Sequence, residues 1–185
     1  MKFLETLRAE DGAIRYLEYH KNRMKHSCGK DIELNLNPPQ IGVWRVRVLY
    51  SQTIESIEYL PYKQPSIKSL QMLRADNLNY NHKFANREDL NNLFKQRKNA
   101  DDVLIIKNSL ITDTTIANIA FYDGKNWLTP SLPLLNGTTR ARLLDEKFLI
   151  KASIKENEVK NFKKFALMNT LIGFLEIQNG IIRPC

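Results

Sequence analysis

The sequence predicts a mixed α/β (α+β) chain of two lobes, on three observations. Short β-branched and apolar runs alternate with polar residues as half-buried strands do, apolar residues recur at helical spacing in separate short segments, and a polar stretch from Lys68 to Asn86 divides them. The division is placed after residue 78, giving a small N-terminal lobe, residues 1–78, and a larger C-terminal lobe, residues 79–185. A chain of 185 residues with 43% apolar content suits one domain, or two small lobes sharing a core.

Taken in order, Phe3 to Arg8 alternates as a strand, Asp11-Gly12 turns it, and Ile14 to Tyr16 returns as its partner. A helix follows over 17–28, because Leu17, His20, Met24 and Cys28 share one face and Gly29 supplies a stop. His20 reads as a buried, hydrogen-bonded histidine. Arg23, three residues on, is either a solvated charge or a fixed guanidinium for a phosphate. Beyond Asn37-Pro38-Pro39, Val43 to Tyr50 alternates with Arg45 and Arg47 on one face, and Thr53 to Leu60 pairs with it. Those arginines are either solvated or available to a carboxylate.

Lys68 to Asn86 shows little periodicity and reads as a crossover between the lobes, followed by a helix over 87–98 with acidic Glu88 and Asp89 at its positive end. Val103 to Pro130 then forms an antiparallel meander, its segments separated by Asn108-Ser109 and Asp123-Gly124, which accept the positive φ of tight hairpins. Helices are expected over 139–150 and 156–164. Strands follow at Phe165–Met168 and Phe174–Ile177, and Asn179-Gly180 forms a last hairpin turn before Ile181-Ile182.

Composition excludes several classes. The apolar runs are too short to span a bilayer, and Met1 to Arg8 lacks a leader-like apolar stretch, so a cytoplasmic location is expected, with no membrane partner. Cys28 and Cys185 have no metal-ligand spacing, so neither a metal site nor a disulfide framework is expected. The net charge of +8 is scattered and carries no nucleic-acid motif, so a small anionic ligand accounts for it as well as nucleic acid does.

Two features of the C-terminal half point to chemistry. Gly137-Thr138-Thr139 opens a helix, where backbone N–H groups and hydroxyls suit an anion, and Asp113 lies on the meander before it. Asp113 could equally begin a turn, and Thr138 or Thr139 cap a helix. With a lysine in the irregular linker and an arginine on the first helix, the set is the one a pyridoxal phosphate enzyme needs: a lysine for the Schiff base, an acid for the pyridine nitrogen, and donors for the phosphate.

The order of these motifs resembles the fold-type IV pyridoxal phosphate family, which includes branched-chain and D-amino-acid aminotransferases and aminodeoxychorismate lyase. Phe3-Leu-Glu-Thr6-Leu-Arg8 with Asp11-Gly12, and His20-Lys-Asn-Arg23-Met24, look like its first strand and helix. The likeness continues through Lys83-Phe-Ala-Asn86-Arg87, Asp113 to Asn118, Thr129-Pro130, Gly137-Thr138-Thr139-Arg140 and Asn169-Thr170. It implies pyridoxal 5'-phosphate as cofactor, Lys83 as Schiff-base lysine and Arg23 as phosphate-binding arginine. Thr138, Thr139, Asn169 and Thr170 complete the cofactor contacts, and the family implies a homodimer. Asp113 stands where the family has glutamate.

Within the family, Lys83 followed by Asn86-Arg87, together with Thr6 as a proton relay, resembles aminodeoxychorismate lyase, which converts 4-amino-4-deoxychorismate to 4-aminobenzoate and pyruvate in folate biosynthesis. The alternatives are an aminotransferase for branched-chain or D-amino acids, or an impaired homologue. The first lobe is shortened relative to the family, leaving Arg45 or Arg47 as the expected clamp for a small anionic, amino-acid-like substrate.

Overall fold

Alternation decides the first strand, β1 (Phe3–Glu10), whose inward row is Phe3, Glu5, Leu7 and Ala9, all buried. The computed structural model describes residues 1–185. Contacts divide the chain into one unit made of Met1–Pro65 with His82–Asn86, and a second made of Ser66–Asn81 with Arg87–Cys185. The boundary expected after residue 78 thus falls inside the second unit, and Lys83 packs with the first. The reason is a backbone pairing: Leu4 N–H donates to the Lys83 carbonyl at 2.8 Å and Ala85 N–H to the Lys2 carbonyl at 3.0 Å, bridging Phe3 and Phe84.

In the first unit, β2 (Ala13–Ile14), β1, β3 (Val43–Tyr50) and β4 (Ile54–Pro61) form an antiparallel sheet in that order. Asp11 and Gly12 both take positive φ, 48° and 80°, which a two-residue hairpin requires. The returning strand is shorter than expected because Tyr16 turns left-handed ahead of helix α1 (Leu17–Cys28). His20 and Met24 on that helix are buried, and it stops at Gly29, whose φ of 78° lets its N–H reach the Lys25 carbonyl. Leu7, Ala9, Val46 and Val48 make one core cluster, and Phe3, Met24 and Tyr50 another.

The second unit begins with β5 (Ser69–Arg74), inside the stretch expected to be an irregular crossover. Ser69 to Met72 are all buried, because β5 lies within the sheet, and such a strand loses the alternation that would reveal it. Helix α2 (Glu88–Lys95) leads to the meander, antiparallel throughout but of four strands where three segments are expected, because a further turn over 115–117 divides the middle one: β6 (Asp102–Lys107), β7 (Leu110–Thr114), β8 (Asn118–Tyr122) and β9 (Trp127–Pro130).

Helix α3 (Thr138–Asp145) ends sooner than its pattern suggests. Lys147 turns left-handed at φ 58°, and the remaining apolar residues become β10 (Leu149–Ala152), parallel to β9. The expected helix at 156–164 is a 3-10 turn over Glu156–Asn161, with Lys164 already in β11 (Lys164–Asn169), which pairs with β12 (Gly173–Ile177) and β8. The last hairpin is absent: β13 (Ile181–Arg183) instead runs parallel to β5. The sheet order is β10-β9-β8-β7-β6-β5-β13, with β11 and β12 joined through β8.

Leu70, Leu104, Ile106, Ile119, Phe121 and Leu167 anchor the main core, and Ala120, Trp127, Leu143 and Met168 a second cluster. Leu104→Ala should cost about 2–5 kcal/mol, read as a lower midpoint in urea unfolding with an unchanged slope.

Candidate active site

In the first unit the decisive residue is an acid. Glu5 is fully buried on the inward row of β1, where a carboxylate survives only with paired cations. Two residues of α1 supply the partners. Arg23 Nε donates to Glu5 Oε1 at 2.7 Å and Arg23 Nη2 to Glu5 Oε2 at 2.6 Å, while His20 Nδ1 lies 2.8 Å from Oε2. Burial alone would push the Glu5 carboxyl up, yet the Arg23 charge and the hydrogen bonds of Arg23 and His20 bring it down to about 2. The His20–Arg23 spacing of three puts both side chains over one strand position.

Lys83 is half-buried on the segment paired with β1. Thr6 lies two residues beyond Leu4 on that strand, opposite Arg47 in the β1–β3 register. Arg47 donates to Glu58 at 2.8 Å across β3 and β4. Arg45 is exposed and directly opposite Arg8, with Tyr62 close enough to feel both charges.

In the second unit the candidate residues gather around the β7–β8 turn. Asp113 and Asn118 face each other across it, their five-residue spacing being that of a cross-strand pair around a tight turn. Asp113 Oδ1 accepts from Asn118 Nδ2 at 2.7 Å and Asp113 Oδ2 from Leu135 N–H at 2.8 Å. Burial raises the Asp113 carboxyl to about 6, against the downward pull of those two donors and of Arg140. Thr138 and Thr139 are buried in the first turn of α3, which no side chain caps. Asn169 ties the β11–β12 turn to the same place: Nδ2 donates to the Ile116 carbonyl at 3.1 Å, and Oδ1 accepts from Leu171 and Ile172 N–H. Thr170 follows it in that turn.

Two further arginines complete this arrangement. Arg87, four residues after Lys83, donates to the Thr115 carbonyl in the β7–β8 turn at 2.7 Å. Buried Arg140 donates to Thr129 Oγ1 and the Pro130 carbonyl, fixing α3 to the end of β9. Sequence reasoning missed both Glu5 and Arg140 as site residues. A signal for Glu5 existed, since an acid on the inward row of an alternating strand demands a cation.

A family model described as amino-transferase class IV matches residues 42–179. The chain belongs to that family. It is accordingly a pyridoxal-phosphate-dependent enzyme of the type IV fold, and within the second unit a buried carboxylate and an uncapped helix start opened by two buried threonines are groups of the kind that cofactor takes. A Haemophilus influenzae protein of uncharacterized function is 32% identical over 91% of this chain and 97% of its own. A Schizosaccharomyces pombe protein described as a "putative aminodeoxychorismate lyase" is 31% identical over 70% of this chain and 58% of its own. The crystal structure of a "putative 4-amino-4-deoxychorismate lyase" from Haemophilus somnus superposes with a TM-score of 0.84 at 28% identity, over 93% of this chain and 97% of that one. No helix is long and apolar enough to cross a membrane.

Glu5 gives the first unit an acid limit. A carboxyl whose folded value is depressed contributes stability above its unfolded value, and that contribution is lost as pH falls from about 4.5 through about 2. Glu5→Gln should remove this dependence and cost about 3–5 kcal/mol by stranding a buried guanidinium, as measured by thermal melts from pH 2 to 7.

Proposed function

We propose that the chain is a lyase of the aminodeoxychorismate type, releasing pyruvate and 4-aminobenzoate from 4-amino-4-deoxychorismate. The observation that carries this reading is the backbone bond between Leu4 and Lys83, which sets the lysine of the Lys83-Phe-Ala-Asn86-Arg87 run beside the strand bearing Thr6. Two relatives carrying that activity in their names, at 31% and 28% identity, support it.

The bound cofactor supplies an aldehyde for the substrate amine and a ring that accepts the electrons released when the substrate loses a proton. Lys83 would hold the cofactor through its Nζ and, once displaced by the substrate amine, would be the base that moves the proton. Arg23 binds the phosphate, with its orientation fixed by Glu5. The Thr138 and Thr139 amides and hydroxyls, with Asn169 and Thr170 at the β11–β12 turn, supply the further donors that a phosphate needs. Asp113, when ionised, would be the acid that keeps the pyridine nitrogen protonated. Thr6 donates a proton toward the departing pyruvate portion.

The substrate is a small anionic amino compound, and Arg45 is the better placed of the two expected clamps. Arg47 already engages Glu58, whereas Arg45 is exposed opposite Arg8, which pairs with Glu10 at 3.5 Å, and its guanidinium can turn to an incoming carboxylate. A homodimer in the cytoplasm, acting in folate biosynthesis, completes this reading.

Protein supplied with pyridoxal 5'-phosphate and 4-amino-4-deoxychorismate should release pyruvate with no keto acid added. A requirement for 2-oxoglutarate would instead establish an aminotransferase. Lys83→Ala should abolish both turnover and the visible band of the bound cofactor. Thr6→Val should slow turnover by about 10²-fold or more while leaving that band in place, as steady-state kinetics and absorbance will read.

A further inference from the structure

Asn118 makes more contacts than a strand residue needs. Its side-chain amide donates to Asp113 Oδ1 at 2.7 Å and to the Leu135 carbonyl at 2.8 Å, while the N–H of the same Leu135 donates to Asp113 Oδ2 at 2.8 Å. Leu135 is therefore gripped at both its polar backbone atoms by one cross-strand pair. Two residues later the chain enters α3 at Gly137.

Gly137 adds an independent observation. Its φ of −71° and ψ of 143° are open to any residue, so no backbone conformation requires glycine there. Space does: a Cβ on Gly137 would lie 1.8 Å from Asn118 Oδ1. The start of α3 thus rests directly against the amide that holds Asp113.

We propose that Asn118 is a positioning residue that joins the Asp113 carboxylate to the first turn of α3, so that one side chain sets the contact to the cofactor ring and the contact to its phosphate. The inference rests on the proposed cofactor roles of Asp113, Thr138 and Thr139. In this arrangement the shorter acid is held in a fixed direction by two donors, one from the start of β8 and one from the loop before α3. Arg140 is the charged group felt by Asp113, and it is itself anchored to Thr129 and Pro130. Asn118 therefore governs both where the carboxylate points and how readily it ionises.

The test is a double-mutant cycle of Asn118→Ala and Gly137→Ala, read in two ways. In protein without cofactor, the carboxyl titration of Asp113 is followed by NMR; in protein with pyridoxal 5'-phosphate, affinity is followed by the visible band. Asn118→Ala should move the Asp113 midpoint up by about one pH unit, since it deletes a donor to the charged form. Each single variant should weaken cofactor binding by about tenfold or more. Gly137→Ala should add almost nothing once Asn118 is truncated, because the atom it strikes is gone. Additive losses in the cycle, or single variants that bind the cofactor as wild type does, would overturn the proposal. Should Asn118→Ala fail to fold, Gly137→Ala alone decides: it should raise the Asp113 midpoint and weaken cofactor binding together, and an unchanged midpoint overturns the coupling. A wild-type protein that binds no cofactor while its Asp113 midpoint still responds to both variants would sink the cofactor roles and leave the coupling standing.

Discussion

A carboxylate without access to water has to be matched by a cation or lose its charge, and Glu5 is matched. Its position on the inward row of β1 dictates that α1 lie over that row with His20 and Arg23 turned toward it. The helix is thus placed by an ion pair as much as by Met24 and the apolar core. Removing either side of such a pair is costlier than never having buried it, so strand and helix are tied to each other's sequence.

The second unit solves a related problem with weaker means. Asp113 is equally buried, but its direct partners are neutral donors, an amide side chain and a backbone N–H, and its charge is correspondingly less secure. Depressed in one unit and raised in the other, the two acids obey one rule: burial opposes the charge, and the partner decides the outcome.

Much of this is legible in the sequence. Alternation locates β1 and β3, apolar runs between turn residues locate the β6–β9 meander, and helical spacing locates α1 and its glycine stop, while the turn that sets Asp113 across from Asn118 goes unread. The failures share a cause. Ser69 to Met72 lie on a strand buried on both sides, so nothing alternates, and Leu149-Ile150 continues the apolar spacing of α3 although Lys147 has already ended the helix. Both depend on what the segment packs against, which a local pattern does not contain. Asn179-Gly180 turns the chain as its composition says, but toward β5, because pairing is chosen by the sheet and not by the turn. The weight carried by Glu5 goes unread because a charged residue on a strand is ordinarily taken to face water.

The few residues around Lys83 are borrowed. The chain leaves the second unit after residue 81, spends His82–Asn86 completing the first, and returns at Arg87 to build α2 and β6. During synthesis, the first unit cannot add its last edge until β5 has emerged, and β5 cannot gain its neighbour β6 until the lysine segment has passed. Assembly of the two units is therefore interleaved in time, and Lys83 is among the last residues that the first unit acquires.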